Sequence, residues 1–293
     1  MTRLPRKTLA HVLRRALKRP KTVGLALGGG GARGLAHIAV IEALDEMQIR
    51  PVAIAGTSIG AVIGAAYAAD MTGKAMRRHA IAVAHQRAET IAKLLAARAG
   101  RFAKMFSADF GNPWVVDAEK LCGAFLPPEV PDDFAALQIP LVVLASDLYA
   151  QQSVAFSHGP LKPALAASMA VPGLMRPVVI EGRVLVDGGA VDPLPFEQLR
   201  ERADVILAVD VGGGPRDRKN EIPDPWECLF ATLNVMGHVI IAEKLRHGAP
   251  DLLLTPNVGV FRLLDFLQAS AILRAADPIK AELKERLGAL IGS

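Results

Sequence analysis

The pentapeptide around Ser58 has the composition of a nucleophile elbow. Residues 56–60 read Gly-Thr-Ser-Ile-Gly and fit the pattern G-x-S-x-G. They lie between a short apolar run and a helical stretch of small apolar residues. Small neighbours such as Gly56 and Gly60 allow the sharp turn that projects a serine hydroxyl from the end of a strand. Ser58 is therefore the predicted nucleophile of an acyl-transfer reaction.

A glycine-rich segment at residues 28–34 also lies between a predicted strand and a predicted helix. Glycines let backbone N–H groups converge on one point, and a helix N-terminus favours an anion there. Such a loop binds either a dinucleotide pyrophosphate, because residues 29–34 fit G-x-G-x-x-G, or the oxyanion of an acyl-transfer intermediate. A dinucleotide site also needs an acidic residue at the end of the next strand, where this chain has Ala55-Gly56-Thr57. An oxyanion site without a dinucleotide cofactor is therefore predicted.

A serine nucleophile needs a base, and the residues leave alternatives open. Asp187 follows a predicted strand and precedes Gly188 and Gly189, so a sharp turn can bring its carboxylate to the elbow. Chemistry alone supports two interpretations of Asp187 equally well. It is either the base for Ser58 or a turn aspartate whose side chain hydrogen-bonds its own backbone. A hydrolase triad would use a histidine instead, and only His238 and His247 follow the later acidic residues. Both lie in apolar helical sequence, and nothing in the pattern selects either.

The elements that must position these residues follow from the hydrophobic pattern. Predicted strands cover residues 22–27, 52–55, 140–146, 204–211 and 251–255, and a hairpin covers 177–186. Predicted helices cover residues 35–47 and 58–69. Strand, helix, strand and helix within so short a stretch require parallel strands joined by crossovers. The chain is therefore predicted to be an α/β protein with the serine and the aspartate at strand ends.

Composition and charge narrow the class of function. The 293 residues are 51% hydrophobic and 22% charged, which excludes a disordered chain. Two cysteines, Cys122 and Cys228, are too few for a disulfide framework and indicate reduced thiols in a cytoplasmic setting. Residues 1–21 contain eight Lys or Arg and no acidic residue, so this tail carries a charge of +8, and the other residues sum to −3 within the net charge of +5. A nucleic-acid-binding core would carry basic residues across a folded face, so no nucleic-acid partner is expected.

The basic tail has the pattern of an amphipathic helix. In residues 8–18, apolar side chains recur at helical spacing between basic ones, at Leu9, Val12, Leu13, Ala16 and Leu17. Two interpretations stay open, a solvated helix packed on the body and an interfacial helix attracted to anionic lipid. Residues 52–69 form the apolar window closest to a transmembrane helix. They include Gly56-Thr57-Ser58 and are interpreted as a buried strand followed by a buried helix.

The three motifs, in this order, resemble those of the patatin-like phospholipases. The residues that carry the resemblance are Gly29-Gly30-Gly31-Ala32-Arg33-Gly34, Gly56-Thr57-Ser58-Ile59-Gly60 and Asp187-Gly188-Gly189. The resemblance implies a Ser58–Asp187 dyad without histidine, with the amides of Gly29, Gly30 and Gly31 as oxyanion donors. Arg33 would anchor the loop or contact the substrate. Residues 164–178 also resemble the family block before the aspartate, but Ala166 and Met175 stand where an arginine and a phenylalanine are frequent.

The resemblance also implies the architecture. It predicts an α/β, three-layer patatin-like fold with a mostly parallel central sheet flanked by helices. A basic amphipathic segment at residues 1–20 would precede an acyl hydrolase domain at residues 21–293. Within that domain, residues 74–110 are predicted to form a helical flap, and residues 226–293 a helical C-terminal part.

The implied function is a serine hydrolase that cleaves lipid carboxylic esters through an acyl-enzyme, with no cofactor and no metal. The alternatives are an acyltransferase with the same dyad and a membrane-associated regulatory protein with little turnover. The expected substrate is a lipid or lysophospholipid. We expect a cytoplasmic protein, peripheral at the inner membrane surface, where the N-terminal segment would contact anionic lipid.

Overall fold

The computed structural model describes residues 19–86, 117–213, 222 and 225–292. Its strands form one eight-stranded sheet with the hydrogen-bonded order β5-β6-β3-β2-β1-β7-β8, and β4 also pairs with β3. The strands are β1 (Val23–Leu27), β2 (Ala53–Thr57), β3 (Leu141–Asp147), β4 (Gln152–Phe156), β5 (Val178–Ile180), β6 (Arg183–Asp187), β7 (Val205–Val209) and β8 (Leu252–Leu254). Five of them, β1, β2, β3, β7 and β8, are mutually parallel. The mostly parallel sheet that the sequence predicted is confirmed.

Helices connect and cover these strands. They are α1 (His37–Glu46), α2 (Ile59–Ala68), α3 (Gly73–Gln86), α4 (Ala118–Phe125), α5 (Leu161–Ser168), α6 (Pro225–His247), α7 (Ala269–Ala276) and α8 (Ile279–Ile291). The five predicted strands, the hairpin and the predicted helices at 35–47 and 58–69 are present, with ends within two residues of those observed. The sequence pattern did not anticipate β4, α4 or α5. The first is a largely exposed edge strand, and the two helices have only eight residues each.

The two faces of the sheet bury separate apolar clusters, because successive side chains of a strand point to opposite faces. On β1, Leu25 and Leu27 belong to the larger cluster, which includes residues of α1 and α2. Ala26, between them, belongs to a smaller cluster with Phe196 and Ile241, the latter on α6. Helices therefore cover both faces of the sheet, and the three-layer architecture is confirmed.

The register of β3 brings two strand ends together. β3 has seven residues and β2 has five, and β2 ends at Thr57, opposite Leu144. β4 pairs with one edge of β3, and β2 pairs with the first part of the other edge. β6 pairs antiparallel with the remainder of that second edge, beyond the end of β2. β6 ends at Asp187, opposite Ala145. The carboxyl ends of β2 and β6 thus meet at consecutive positions of β3.

One helix has the length and composition of a membrane span. The stretch Glu227–His247 of α6 has 21 residues and a mean hydropathy of 1.4, and 17% of its apolar window is buried inside the protein. The apolar window at residues 52–69, predicted to be a buried strand followed by a buried helix, is confirmed as β2 and α2.

Two predicted segments fall largely outside the described residues. Of the basic segment 1–20, only Arg19 and Pro20 are described, and Arg19 forms an ion pair with Asp204 at 2.9 Å. Of the predicted flap at 74–110, the described part is α3, which ends at Gln86. The predicted helical part at 226–293 contains α6, α7 and α8 and also the strand β8.

Candidate active site

Ser58 occupies the turn between β2 and α2 in a strained backbone conformation. Its φ is 54° and its ψ is −127°, a combination that is uncommon for a residue with a Cβ atom. The turn is closely packed against β1, because a Cβ atom at Gly60 would lie 2.2 Å from the carbonyl oxygen of Leu27. Only glycine allows that approach at position 60. The pattern G-x-S-x-G therefore has the local geometry that the sequence predicted for a nucleophile elbow.

The Ser58 hydroxyl donates a hydrogen bond to the carboxylate of Asp187. The distance from Oγ to Oδ2 is 2.6 Å, and each residue is only 8% exposed. The other carboxylate oxygen, Oδ1, accepts a hydrogen bond of 2.7 Å from the backbone N–H of Gly189. Asp187 is thus a partner of the serine through one oxygen and a turn aspartate through the other. The two interpretations left open by the sequence hold at the same time.

Burial raises the pKa of Asp187 from 3.8 to about 6. The hydrogen bonds from Ser58 and from the Gly189 amide favour the ionised form and limit this rise. A carboxylate with this pKa is still ionised at neutral pH and is a stronger base than an exposed aspartate. The site therefore combines a serine hydroxyl with a carboxylate suited to accept its proton.

Two further serines fix the backbone of the pair. The Ser168 hydroxyl accepts a hydrogen bond of 2.8 Å from the Ser58 N–H and donates one of 2.6 Å to the Leu144 carbonyl. The Ser146 hydroxyl donates a hydrogen bond of 3.0 Å to the Asp187 carbonyl. Both serines are buried. Sequence reasoning missed them, and the one usable signal was Ser168, the single uncharged polar side chain in the apolar block 164–178.

The glycine loop differs in part from the prediction. The Gly29 N–H donates a hydrogen bond of 3.0 Å to the Pro193 carbonyl, which removes Gly29 from the predicted oxyanion donors. Within the described part of the chain, the amides of Gly30 and Gly31 donate no backbone hydrogen bond, and both residues line the same cavity as Ser58. Gly31 has a φ of +57°, and a Cβ atom there would lie 2.2 Å from the Leu263 carbonyl oxygen. Of the three predicted donors, Gly30 and Gly31 thus keep amides that donate no backbone hydrogen bond in the described residues.

Arg33 ties the glycine loop to α6. It is 3% exposed, and its Nε donates a hydrogen bond of 3.3 Å to the Gly30 carbonyl. Its Nη2 donates one of 2.9 Å to Oδ1 of Asn234, on α6. These bonds fit the first of its two implied roles, an anchor of the loop. Arg33 also lines the cavity, so the second role stays a prediction.

Among the described histidines, none is hydrogen-bonded to Ser58. His238 lines the cavity, and its buried Nε2 has no partner in the part of the chain that the structure describes. The His247 side chain is 76% exposed, and its Nδ1 lies 3.0 Å from the Glu243 carbonyl oxygen. The geometry thus gives the Ser58 hydroxyl a carboxylate partner and not an imidazole.

The pair opens into a cavity of about 1170 Å³ that is continuous with solvent. Most of its wall is apolar and comes from α6, from the segment after α5 and from the segment before α7, including Met169, Leu174, Met175, Phe230, Leu233 and Phe266. Besides Ser58 and Asp187, the polar groups that the described residues contribute include the glycine loop, Arg33, Asn234 and His238. No group of three His, Cys, Asp or Glu side chains that could hold a metal ion is present among the described residues.

Comparison with known proteins identifies the family. The sequence matches the patatin-like phospholipase family over residues 25–200. A protein of Mycobacterium tuberculosis named as an uncharacterised NTE family protein is 38% identical over 209 residues, which cover 70% of this chain and 54% of that protein. Lysophospholipase NTE1 of Coccidioides immitis is 31% identical over 298 residues, which cover 91% of this chain and 18% of that protein. The chain thus spans about half the length, or less, of these curated relatives.

The fold also has a solved counterpart. VipD from Legionella pneumophila superposes with a TM-score of 0.50 at 14% identity, over 92% of this chain and 67% of that one. This likeness concerns the fold alone. The family match at residues 25–200 includes the glycine loop, the elbow and the Asp187 turn. The chain therefore belongs to the patatin-like phospholipase family.

Proposed function

We propose that this protein hydrolyses carboxylic esters of lipids, with Ser58 as the nucleophile and Asp187 as the base. The observation that carries the proposal is the 2.6 Å hydrogen bond from the Ser58 hydroxyl to a buried carboxylate, beside a largely apolar cavity. Family membership supports a phospholipase or a lysophospholipase, and one relative is named a lysophospholipase. An ester of a fatty acid is the substrate class that suits an apolar cavity with few polar groups.

The first half of the reaction forms an acyl-enzyme. The Ser58 Oγ attacks the ester carbonyl carbon while its proton passes to Oδ2 of Asp187. The carbonyl oxygen becomes an oxyanion and accepts hydrogen bonds from the amides of Gly30 and Gly31. When the tetrahedral intermediate collapses, the bond to the leaving alcohol breaks and that oxygen takes the proton from Asp187. The products of this half are a free alcohol and an ester of Ser58.

The second half releases the fatty acid. A water molecule attacks the acyl carbon and gives a proton to Asp187, which is again ionised at this stage. Collapse of the second intermediate breaks the bond to Ser58, and the Ser58 oxygen recovers the proton from Asp187. Because the Gly189 amide holds Oδ1, Oδ2 keeps its position toward the serine in both halves. A single carboxylate can therefore serve both proton transfers.

The proposal includes peripheral contact with a lipid surface. Residues 228–242 of α6 contain no charged side chain, whereas the exposed face of a solvated helix is normally polar. Val235, Met236 and Val239 are each more than half exposed, and Met236 also lines the cavity of the Ser58–Asp187 pair. The basic segment at residues 1–20 would add attraction to anionic lipid. Cys122 and Cys228 are free, which fits the proposed cytoplasmic location at the inner membrane surface.

A hydrolysis panel with purified protein tests the function. Phosphatidylcholine, lysophosphatidylcholine and triacylglycerol are supplied as dispersions, and the released fatty acid is measured by mass spectrometry. Ser58→Ala should lose at least about 10³-fold in rate, as expected on removal of a catalytic serine. Ser153→Ala is the matched control, because Ser153 is an exposed serine on β4.

The same panel separates the alternatives. A fluorophosphonate probe should label the wild type and Ser153→Ala but not Ser58→Ala. Ester formation that exceeds fatty acid release when glycerol is added would indicate an acyltransferase. Equal fatty acid release by wild type and Ser58→Ala would exclude the proposed nucleophile.

A further inference from the structure

A second cavity lies beside the first, between the helices α2, α3 and α4. It is continuous with solvent and encloses about 1020 Å³ when the open space at its mouth is included, and all but one of the described side chains that line it are apolar. The exception is His79, whose Nε2 lies 3.1 Å from the carbonyl oxygen of Phe125 and is thereby occupied. A cavity of this composition suits an apolar ligand rather than water.

The two cavities share a wall of apolar side chains. Six residues line both of them, namely Ile59, Met169, Leu174, Met175, Leu264 and Phe266. None of the six carries a polar group. Two are methionines, whose unbranched side chains adapt to irregular space more easily than other apolar side chains. The wall between the cavities can therefore yield to an apolar chain without exposing a buried polar atom.

Helix α2 leads from the nucleophile into the second cavity. Ile59 directly follows Ser58, and Ile59, Val62, Ile63 and Ala66 recur at the spacing that places side chains on one helix face. All four line the second cavity. At 1.5 Å per residue, this face extends about 10 Å along the helix axis from the nucleophile. A chain attached to Ser58 would follow this apolar face once the wall between the cavities yields.

We propose that the second cavity receives the acyl chain of the ester and sets the preference for chain length. This inference rests on the proposed function of Ser58 and deepens it. The carbonyl carbon must sit at Ser58, so the chain leaves either along α2 or along α6. The path along α6 passes the polar side chains of Asn234 and His238, whereas the described side chains along α2 that line the second cavity are all apolar. The first cavity therefore holds the alcohol part, and the second holds the acyl part.

Substitutions on α3 test this assignment. Ala80 lines the second cavity but not the first, and Ala80→Phe would fill part of the space beside α2. We expect the ratio of kcat/KM for a hexadecanoyl ester to that for a butanoyl ester to fall at least about tenfold, because each excluded methylene costs about fourfold. Ala82→Phe is the matched control, since Ala82 is on the same helix and lines neither cavity. Val83→Phe, which also lines the second cavity, replaces Ala80→Phe if that variant does not fold.

Fatty acid binding provides a readout that needs no turnover. Hexadecanoate is titrated into Ser58→Ala protein by equilibrium dialysis, alone and combined with Ala80→Phe or Ala82→Phe. We expect hexadecanoate to bind at least about tenfold more weakly when Ala80→Phe is added to Ser58→Ala, and with unchanged affinity when Ala82→Phe is added. Equal ratios and equal affinities in the two variants would overturn it while leaving the proposed hydrolysis intact. Selective loss of binding with Ala80→Phe, together with no fatty acid release by the wild type in the hydrolysis panel, would support the cavity and overturn the proposed function alone.

Discussion

Thr57 and Asp187 lie opposite consecutive residues of one strand, Leu144 and Ala145, although 129 residues separate Asp187 from Ser58. The contact between the serine and the carboxylate therefore follows from backbone register rather than from a flexible loop. Groups fixed by strands are held more precisely than groups on loops. This placement also leaves no gap between the two side chains, since Oγ and Oδ2 are already 2.6 Å apart. An imidazole between them is not required for proton transfer.

The first prediction concerns Asp187. Asp187→Asn should abolish measurable turnover, because an amide cannot accept the serine proton. The same change removes a buried charge that burial disfavours, so the free energy of unfolding should stay equal or rise. Fatty acid release and urea unfolding of the purified variant measure the two effects.

His247→Ala is the control, because that exposed side chain lies on α6 and its ring nitrogen bonds its own helix. It should keep most activity. His238→Ala decides the remaining alternative, since His238 lines the cavity. A loss of kcat in His238→Ala as large as that in Asp187→Asn, with a native circular dichroism spectrum, would restore a histidine-dependent mechanism.

The second prediction concerns pH. Because the base must be ionised, log kcat/KM should rise with pH and level off above the pKa of Asp187, which burial raises to about 6. Stability should show the opposite trend. The folded carboxyl binds its proton more tightly than the unfolded one, with pKa values of about 6 and 3.8, so the free energy of unfolding falls as pH rises from about 4 to 6.

Between the unfolded pKa of 3.8 and the folded pKa of about 6, each pH unit lowers the free energy of unfolding by about 1.4 kcal/mol, so the total loss is about 3 kcal/mol. Urea unfolding of wild type and Asp187→Asn at pH 4.5 and pH 7 measures it. The difference between the two proteins should be larger at pH 7. A difference that is the same at both pH values would mean that the Asp187 carboxyl is not desolvated in solution.

The third prediction concerns Ser168 as a positioning residue. Ser168→Ala removes the acceptor of the Ser58 N–H, which is buried in the strained turn. An unsatisfied buried donor costs about 1–3 kcal/mol, and relaxation of the turn would move the Ser58 hydroxyl from its position. We expect kcat to fall at least about tenfold with little change in KM, since Ser168 does not line the cavity.

Ser168→Thr tests whether the hydroxyl itself is responsible, because it keeps that group and should recover part of kcat if the methyl group is accommodated. Ser153→Ala again serves as the control for loss of a serine. A raised KM with unchanged kcat in Ser168→Ala would contradict the positioning role.

The parts of the site that depend on neighbouring residues in the chain could be predicted from the sequence. The parts that depend on contacts between distant segments could not. The elbow at Ser58 was predictable because a strand, a small-residue turn and a helix are adjacent in the chain. The role of Asp187 depends on how β6 pairs with β3, and register between distant strands is not readable from one sequence. The prediction that Asp187 acts as a base therefore came from the resemblance to a family and not from periodicity.

The errors have the same origin. Gly29 has the residue type of an oxyanion donor, but the partner of its amide is Pro193, in a segment remote along the chain. Ser168 was missed because its role consists of contacts with Ser58 and Leu144. The exposed apolar face of α6 was overlooked because an apolar helical stretch predicts a buried helix unless exposure is known.

The last prediction concerns contact with membranes, where two parts of the chain should act by different physics. Residues 1–18 contain six basic side chains and no acidic one, so their attraction to anionic vesicles should weaken as salt screens it. Val235 and Val239, on the exposed face of α6, would instead contribute by apolar burial, which salt does not screen. Vesicle sedimentation at low and high salt distinguishes the two contributions.

Deletion of residues 1–18 keeps the ion pair between Arg19 and Asp204 and should reduce binding mainly at low salt. The double variant Val235→Glu/Val239→Glu should reduce binding to neutral vesicles at any salt concentration. Neither residue lines the cavity, so hydrolysis of a short soluble ester tests whether the site is intact. Val52→Glu is the control, because Val52 is exposed and precedes β2, at the strand end opposite to Ser58. If the deletion and the α6 variant both sediment as wild type does, neither residues 1–18 nor the α6 face contacts lipid.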